Sequence, residues 1–246
     1  MKTTEKVALV TGANRGIGYE TARQLGQQGI TVVVGARTVK AASDTVARLK
    51  AEGIKAVPVK LEVTDANDRI AVARTIEEQF GKLDILINNA GVGAVGGMFN
   101  SKTIETTEEE LQSVLATNLF AVIAVTRALL PLLKKSDAGR IVNVSSILGS
   151  LTLHADPNSP IASIKTFSYD VSKTALNAFT IHLAAELKDT KIKVNSAHPG
   201  WVKTELGTDQ APMEISDGAK TSVTLALLGP DGSSGRFVHM DEELPW

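Results

Sequence analysis

Apolar β-branched runs alternate with stretches of three- and four-residue apolar spacing from one end of the chain to the other. Val7–Val10, Thr31–Val34, Ala56–Val63, Ile85–Ile87, Ile141–Val144 and Ile192–Val194 are short and nearly uninterrupted, the pattern of strands buried on both faces. A last strand is expected within Gly235–Met240. Helical stripes lie between them: Leu111, Val114 and Leu115 form one, and Leu176, Phe179, Leu183 and Leu187 another. Such alternation predicts an α/β fold, a doubly wound parallel sheet with helices on both faces and right-handed crossovers. No internal repeat and no Pro/Gly/Ser linker divides the chain, so residues 1–246 read as a single domain. The breaker-rich regions near 91–101, 149–166 and 199–217 each follow an expected strand. That places them at the carboxyl edge of the sheet, where open α/β sheets bind ligands.

Composition narrows the classes of partner. Lys and Arg number 26 against 27 Asp and Glu, a net charge of -1, which argues against nucleic acid or an anionic membrane surface. The chain has no cysteine, hence no disulfide, no thiolate nucleophile and no Cys-based metal site. Leu119–Leu133 is the most membrane-like run, but Arg127 and Pro131 interrupt it. It falls short of about 20 apolar residues, so a buried helix explains it better. Val7-Ala8-Leu9-Val10 is too short an apolar stretch to serve as a signal core, and a cytoplasmic location is expected. His154, His182, His198 and His239 show no paired ligand spacing, so no metal site is expected. His182 reads as helix-face packing and His154 as a candidate pocket wall.

The first strand ends in Thr11-Gly12-Ala13-Asn14-Arg15-Gly16-Ile17-Gly18, with a helical pattern from Ile17. Glycines here let backbone approach a pyrophosphate at the free N–H groups of a helix start, as in Rossmann-like folds. A loop that only turns the chain has the same composition, and the placement between first strand and first helix favours the nucleotide. The second strand runs into Ala36-Arg37, and no acid follows until Asp44. A carboxylate about 20 residues past the glycines would select a ribose 2′-hydroxyl. Arg37, with Arg15 in the glycine turn, suits a 2′-phosphate instead and favours NADP(H), although either arginine alone is equally a solvated surface residue.

Further motifs stand in order along the chain: Asn88-Asn89-Ala90-Gly91, Asn118, Asn143-Val144-Ser145-Ser146-Ile147-Leu148-Gly149, Tyr169-Asp170-Val171-Ser172-Lys173 and Pro199-Gly200-Trp201-Val202-Lys203-Thr204. With the Thr11–Gly18 turn they make the chain resemble the short-chain dehydrogenases/reductases over nearly its whole length, and among them the carbonyl reductases. Tyr-x-x-x-Lys alone is a weak signal; the ordered conjunction is specific. Tyr169 and Lys173 are four apart on an expected helix and share a face. A neighbouring ammonium is expected to acidify the phenol, which then serves as general acid in reduction and base in oxidation.

The resemblance implies further roles. Lys173 would bind the nicotinamide ribose, Ser146 would stabilise the developing oxyanion with Ser145 as the competing candidate, and Asn118 would hold a water linking Lys173 to solvent. Asn89, Ala90 and Gly91 would line the adenosine ribose. Pro199, Gly200, Val202 and Thr204 would face the nicotinamide. Leu61, Glu62 and Val63 would meet the adenine, Glu62 standing where the family commonly has aspartate. The segment after Ser146 is longer than usual and is expected to fold over the carbonyl site.

The expected substrate is a ketone or aldehyde with apolar flanks, because Met98, Leu148, Leu151, Leu153 and Trp201 fall in the candidate loops. A homo-oligomer, dimer or tetramer, is expected, with a monomer as the alternative. Two other readings stand beside the enzyme: a non-catalytic dinucleotide-binding sensor, which leaves the intact Tyr169, Lys173, Ser146 and Asn118 unexplained, and a methyltransferase, which leaves the Tyr/Lys pair without a task.

Overall fold

A computed structural model of the chain describes residues 5–94 and 102–246. Strands β1 (Val7–Thr11), β2 (Thr31–Ala36), β4 (Ile85–Asn88) and β5 (Arg140–Val144) are buried at every residue, as their unbroken apolar runs require. β3 (Ala56–Lys60), β6 (Lys193–Ala197), β7 (Phe237–His239) and β8 (Glu242–Glu243) complete one sheet in the order β3-β2-β1-β4-β5-β6-β7-β8. Neighbours are parallel except for β8, which returns antiparallel along β7. β3 stops at Lys60 rather than Val63. The backbone N–H of Glu62 donates to the Asp68 carboxylate at 2.9 Å and is lost to the ladder, so the chain turns out of the sheet there.

Nine helices cover the two faces of the described sheet: α1 (Gly16–Gln27), α2 (Val39–Ala51), α3 (Ala66–Phe80), α4 (Glu108–Leu115), α5 (Ala121–Leu133), α6 (Leu151–Ala155), α7 (Phe167–Glu186), α8 (Ile215–Gly218) and α9 (Lys220–Ala226). Side-chain alternation along β1 divides the core. Val7 and Leu9 pack with Val72 and Ile76 of α3, Leu129 and Leu133 of α5, and Leu183 of α7. Ala8 and Val10 pack with Ala22 and Leu25 of α1, Val46 and Leu49 of α2, and Leu225 of α9. This is the period of two expected of a strand between two helical layers.

A π-helical turn, Ala116–Phe120, joins α4 to α5. The combined stretch Glu108–Leu133 is long and apolar enough to cross a membrane by length and composition, yet Val114, Val122, Val125, Leu129 and Leu133 are buried within the protein. On α7 the expected stripe is buried at Leu176 and Leu183, while His182 is exposed. The packing expected of His182 is corrected: Thr180 and Leu183 occupy the inward directions. The 149–166 region is not featureless loop, since a 3₁₀ turn (Ile147–Gly149) and α6 order its start.

Candidate active site

Strand order reverses between β1 and β4, whose carboxyl ends carry the two glycine-containing segments. Gly12 and Gly16 adopt φ of 62° and 54°, left-handed backbone that favours glycine. A Cβ on Gly18 would lie 2.4 Å from both Asn89 Nδ2 and the Gly12 carbonyl oxygen. Asn89 staples the two segments together, its amide donating to the carbonyls of Thr11 (2.9 Å) and Gly12 (3.2 Å). Thr11 Oγ1 accepts in return from the backbone N–H groups of Asn89 and Ala90.

The turn delivers α1 to the cleft with no side-chain cap and no acid in its first turn. By contrast α2, α3 and α4 are capped by Thr38, Asp65 and Thr107. Uncapped N–H groups beside a cleft suit an anionic ligand. The cavity they face measures about 820 Å³. Gly12, Asn14, Arg15, Gly16, Ile17, Gly18, Arg37, Leu61, Glu62, Val63, Asn89, Ala90, Gly91, Tyr169, Lys173, Pro199 and Thr204 line it. Arg37 is exposed at the end of β2 with no ion-pair partner among the described residues. Arg15 pairs with Glu205 from the loop after β6. Glu62 turns its carboxylate onto Thr64, accepting from its hydroxyl (3.0 Å) and its N–H (3.3 Å).

Tyr169 and Lys173 share one face of α7, with the lysine nitrogen 5.5 Å from the phenol ring centroid. Lys173 Nζ donates to the Val144 carbonyl at 2.8 Å. Gly149 makes this approach possible, because a Cβ there would meet the Lys173 backbone at 2.8 Å. Ser146 stands with Tyr169 in the wall of an apolar cavity and its Oγ accepts from the Leu148 N–H at 3.2 Å, while Ser145 Oγ donates to Asn177 Oδ1 at 2.7 Å.

The expected acidification of Tyr169 is corrected. Burial pushes its phenol up to about 12; the neighbouring Ser146 hydroxyl opposes this and the adjacent Asp170 adds to it. Burial likewise brings Lys173 down to about 8. Desolvation disfavours both charged forms, and the ammonium bonds a backbone carbonyl rather than the phenol. The side chain of Asn118 is anchored beside Val92. Its Nδ2 donates to Val92 O (2.9 Å) and Ser172 Oγ (3.0 Å), and its Oδ1 accepts from Val92 N (2.9 Å), so the amide clamps the chain just after Gly91.

The sequence model of the family described as short chain dehydrogenase matches residues 6–215, a span that contains every motif named above. The chain belongs to this family. It is 32% identical to (-)-isopiperitenone reductase of Mentha piperita, with 99% of each chain covered. It is 31% identical to (+)-neomenthol dehydrogenase of Capsicum annuum over 98% of this chain and 97% of that one. The crystal structure of NADPH-bound carbonyl reductase from chicken fatty liver superposes with a TM-score of 0.85 at 28% identity, over 99% and 100% of the two chains. As a short-chain dehydrogenase the protein is an oxidoreductase that uses a nicotinamide dinucleotide, and the uncapped α1 and the glycine turn fit such a group.

A second cavity of about 320 Å³ adjoins the first, and Tyr169, Ile17, Pro199 and Thr204 line both. Ser146, Gly200 and Val202 stand in its wall, as do Leu148 and Trp201. Leu151, Leu153 and His154, expected there, are not among its lining residues. Leu151 is exposed, and His154 Nε2 lies 3.0 Å from the Leu148 carbonyl and 3.5 Å from the Asp170 carboxylate, a tether for α6. Met98 lies outside the described residues. Pro160, Ile161 and Ile164 supply the apolar wall instead, and Ile161 packs with Leu148 and Tyr169. His198 also stands in this wall. Neither spacing nor periodicity marks these residues.

Proposed function

We propose that the protein is an NADPH-dependent reductase of ketones and aldehydes, working in reverse as an alcohol dehydrogenase, with residues 1–246 acting as one domain. The observation that carries this reading is Tyr169, sharing a cavity wall with Ser146, at the junction of a dinucleotide-sized cleft and an apolar cavity. A bound reduced nicotinamide supplies the hydride. Tyr169 gives its proton to the carbonyl oxygen as charge develops there. Ser146 donates to the same oxygen, a role that the engagement of Ser145 with Asn177 supports. Lys173 keeps one N–H on Val144 and turns the others to the cleft, where they meet the ribose. Asn118 holds Val92 and with it the position of Gly91. Arg37, supported by Arg15 once the Glu205 pair opens, binds the 2′-phosphate, which agrees with the NADPH of the carbonyl reductase.

The apolar lining favours ketones with hydrocarbon flanks and water exclusion around the reacting carbon. The test is consumption of reduced nicotinamide by the purified protein with a panel of cyclic and open-chain ketones. Turnover with NADPH preferred to NADH is expected. Tight NADPH binding with no consumption across the panel contradicts the enzyme and supports a dinucleotide sensor.

A further inference from the structure

Among the described residues the substrate cavity carries one ionisable side chain besides Tyr169, and the mechanism above does not use it. His198 directly follows β6, immediately before Pro199, and is buried. The backbone N–H groups of Ile147 (3.2 Å) and Gly200 (3.4 Å) both donate to its Nδ1. Two converging donors require a lone pair on that nitrogen. Burial and the adjacent His239 depress the ring to about 3, so it is neutral and its proton resides on Nε2. His239 packs beside it: its Nδ1 donates to the His198 carbonyl at 2.9 Å, and the two ring centroids lie 4.8 Å apart. Nε2 has no protein partner among the described residues.

We propose that His198 presents its Nε2–H to the substrate cavity as a fixed neutral donor, selecting apolar ketones that carry a second acceptor oxygen besides the reacting carbonyl. The inference rests on the reductase reading and deepens it. A donor held rigid in an apolar wall rewards a ligand that pairs it and penalises one that leaves it desolvated and unpaired. The second oxygen is a carbonyl or ether oxygen; a carboxylate is disfavoured, because the neutral ring supplies no charge to meet it.

The test uses ketones matched in ring size with and without a second oxygen, cyclohexanone against tetrahydropyran-4-one and against 1,4-cyclohexanedione, with NADPH. The wild type is expected to favour the oxygenated member of each pair by about tenfold in kcat/KM, mainly through KM. In His198→Asn the amide oxygen takes the place of Nδ1 as acceptor, but nothing replaces Nε2–H, so the preference falls toward unity. An unchanged preference in that variant overturns the proposal. Nitrogen NMR of the wild-type ring, which needs no variant, is expected to show the Nε2-protonated neutral tautomer from pH 5 to 8. A proton on Nδ1, or titration within that range, overturns it as well. Turnover of both members without discrimination defeats this inference alone, whereas no turnover of any ketone defeats the reductase reading and this inference together.

Discussion

Tyr169 and Lys173 are 7% and 6% exposed, and their protonation follows from that burial more than from their mutual distance. A phenol raised to about 12 stays protonated at neutral pH and is ready to act as an acid; its phenolate becomes available only as pH rises. Reduction is therefore expected to be level between pH 6 and 7.5 and to decline above about 8, where Lys173 loses its charge. Alcohol oxidation is expected to rise only at higher pH, as the phenolate forms toward about 12. Profiles of kcat/KM in both directions check this, and a reduction rate that climbs with pH contradicts it. Arg37 is exposed and without an ion-pair partner among the described residues, so Arg37→Asp is expected to leave thermal stability unchanged. It should also lower the NADPH-over-NADH preference by at least tenfold, read from the two KM values.

Among the elements, the β1–α1 turn is the least tolerant of added atoms. Gly18→Ala would force a Cβ onto Asn89 and Gly12, breaking the staple between β1 and β4. A loss of about 1–3 kcal/mol in denaturant unfolding is expected, with weaker NADPH binding by calorimetry. Ile161 is buried against Leu148 and Tyr169; Ile161→Ala is expected to cost about 2–5 kcal/mol and to raise KM for hydrocarbon-flanked ketones.

These two sites differ in how far they were legible in the sequence. The glycine turn was, because its spacing, its strand and its helix are consecutive, and Tyr169 with Lys173 was, because one helical turn separates them. Ile161, Pro160 and Ile164 were not, since they come to the cavity from a segment whose path depends on tethers such as His154 to Leu148. The end of β3 was hidden for a similar reason. Nothing in Leu61-Glu62-Val63 shows that Asp68 will take the Glu62 amide.

For the whole molecule, two buried bases shape stability against pH. Folded His198 stays unprotonated down to about 3, whereas in the unfolded chain it titrates near its ordinary value of about 6.5. The unfolded state binds more protons between those values, so stability falls as pH drops through that window, by about 1.4 kcal/mol per pH unit from this group. Denaturant unfolding at pH 7 and pH 5 is expected to show a shallower decline for His198→Asn than for the wild type. Lys173 acts by the same sign higher up: with its folded value near 8 and an ordinary value near 10.4, its contribution makes stability rise with pH between them.

The sheet that holds these groups is tied across β4, β5 and β6 by a buried polar chain. Asn88 donates to Asn143, and Asn143 and Ser196 both donate to Thr180 of α7, which sets the helix bearing Tyr169 against the strands that lead into Ser146 and Pro199. The central claim is that Tyr169 gives the proton at this junction. Its most direct test is single turnover of preloaded NADPH with a ketone, comparing the wild type with Tyr169→Phe. A fall of about 10²–10⁴-fold in rate with NADPH affinity retained is predicted. A variant that consumes NADPH at the wild-type rate would contradict the account.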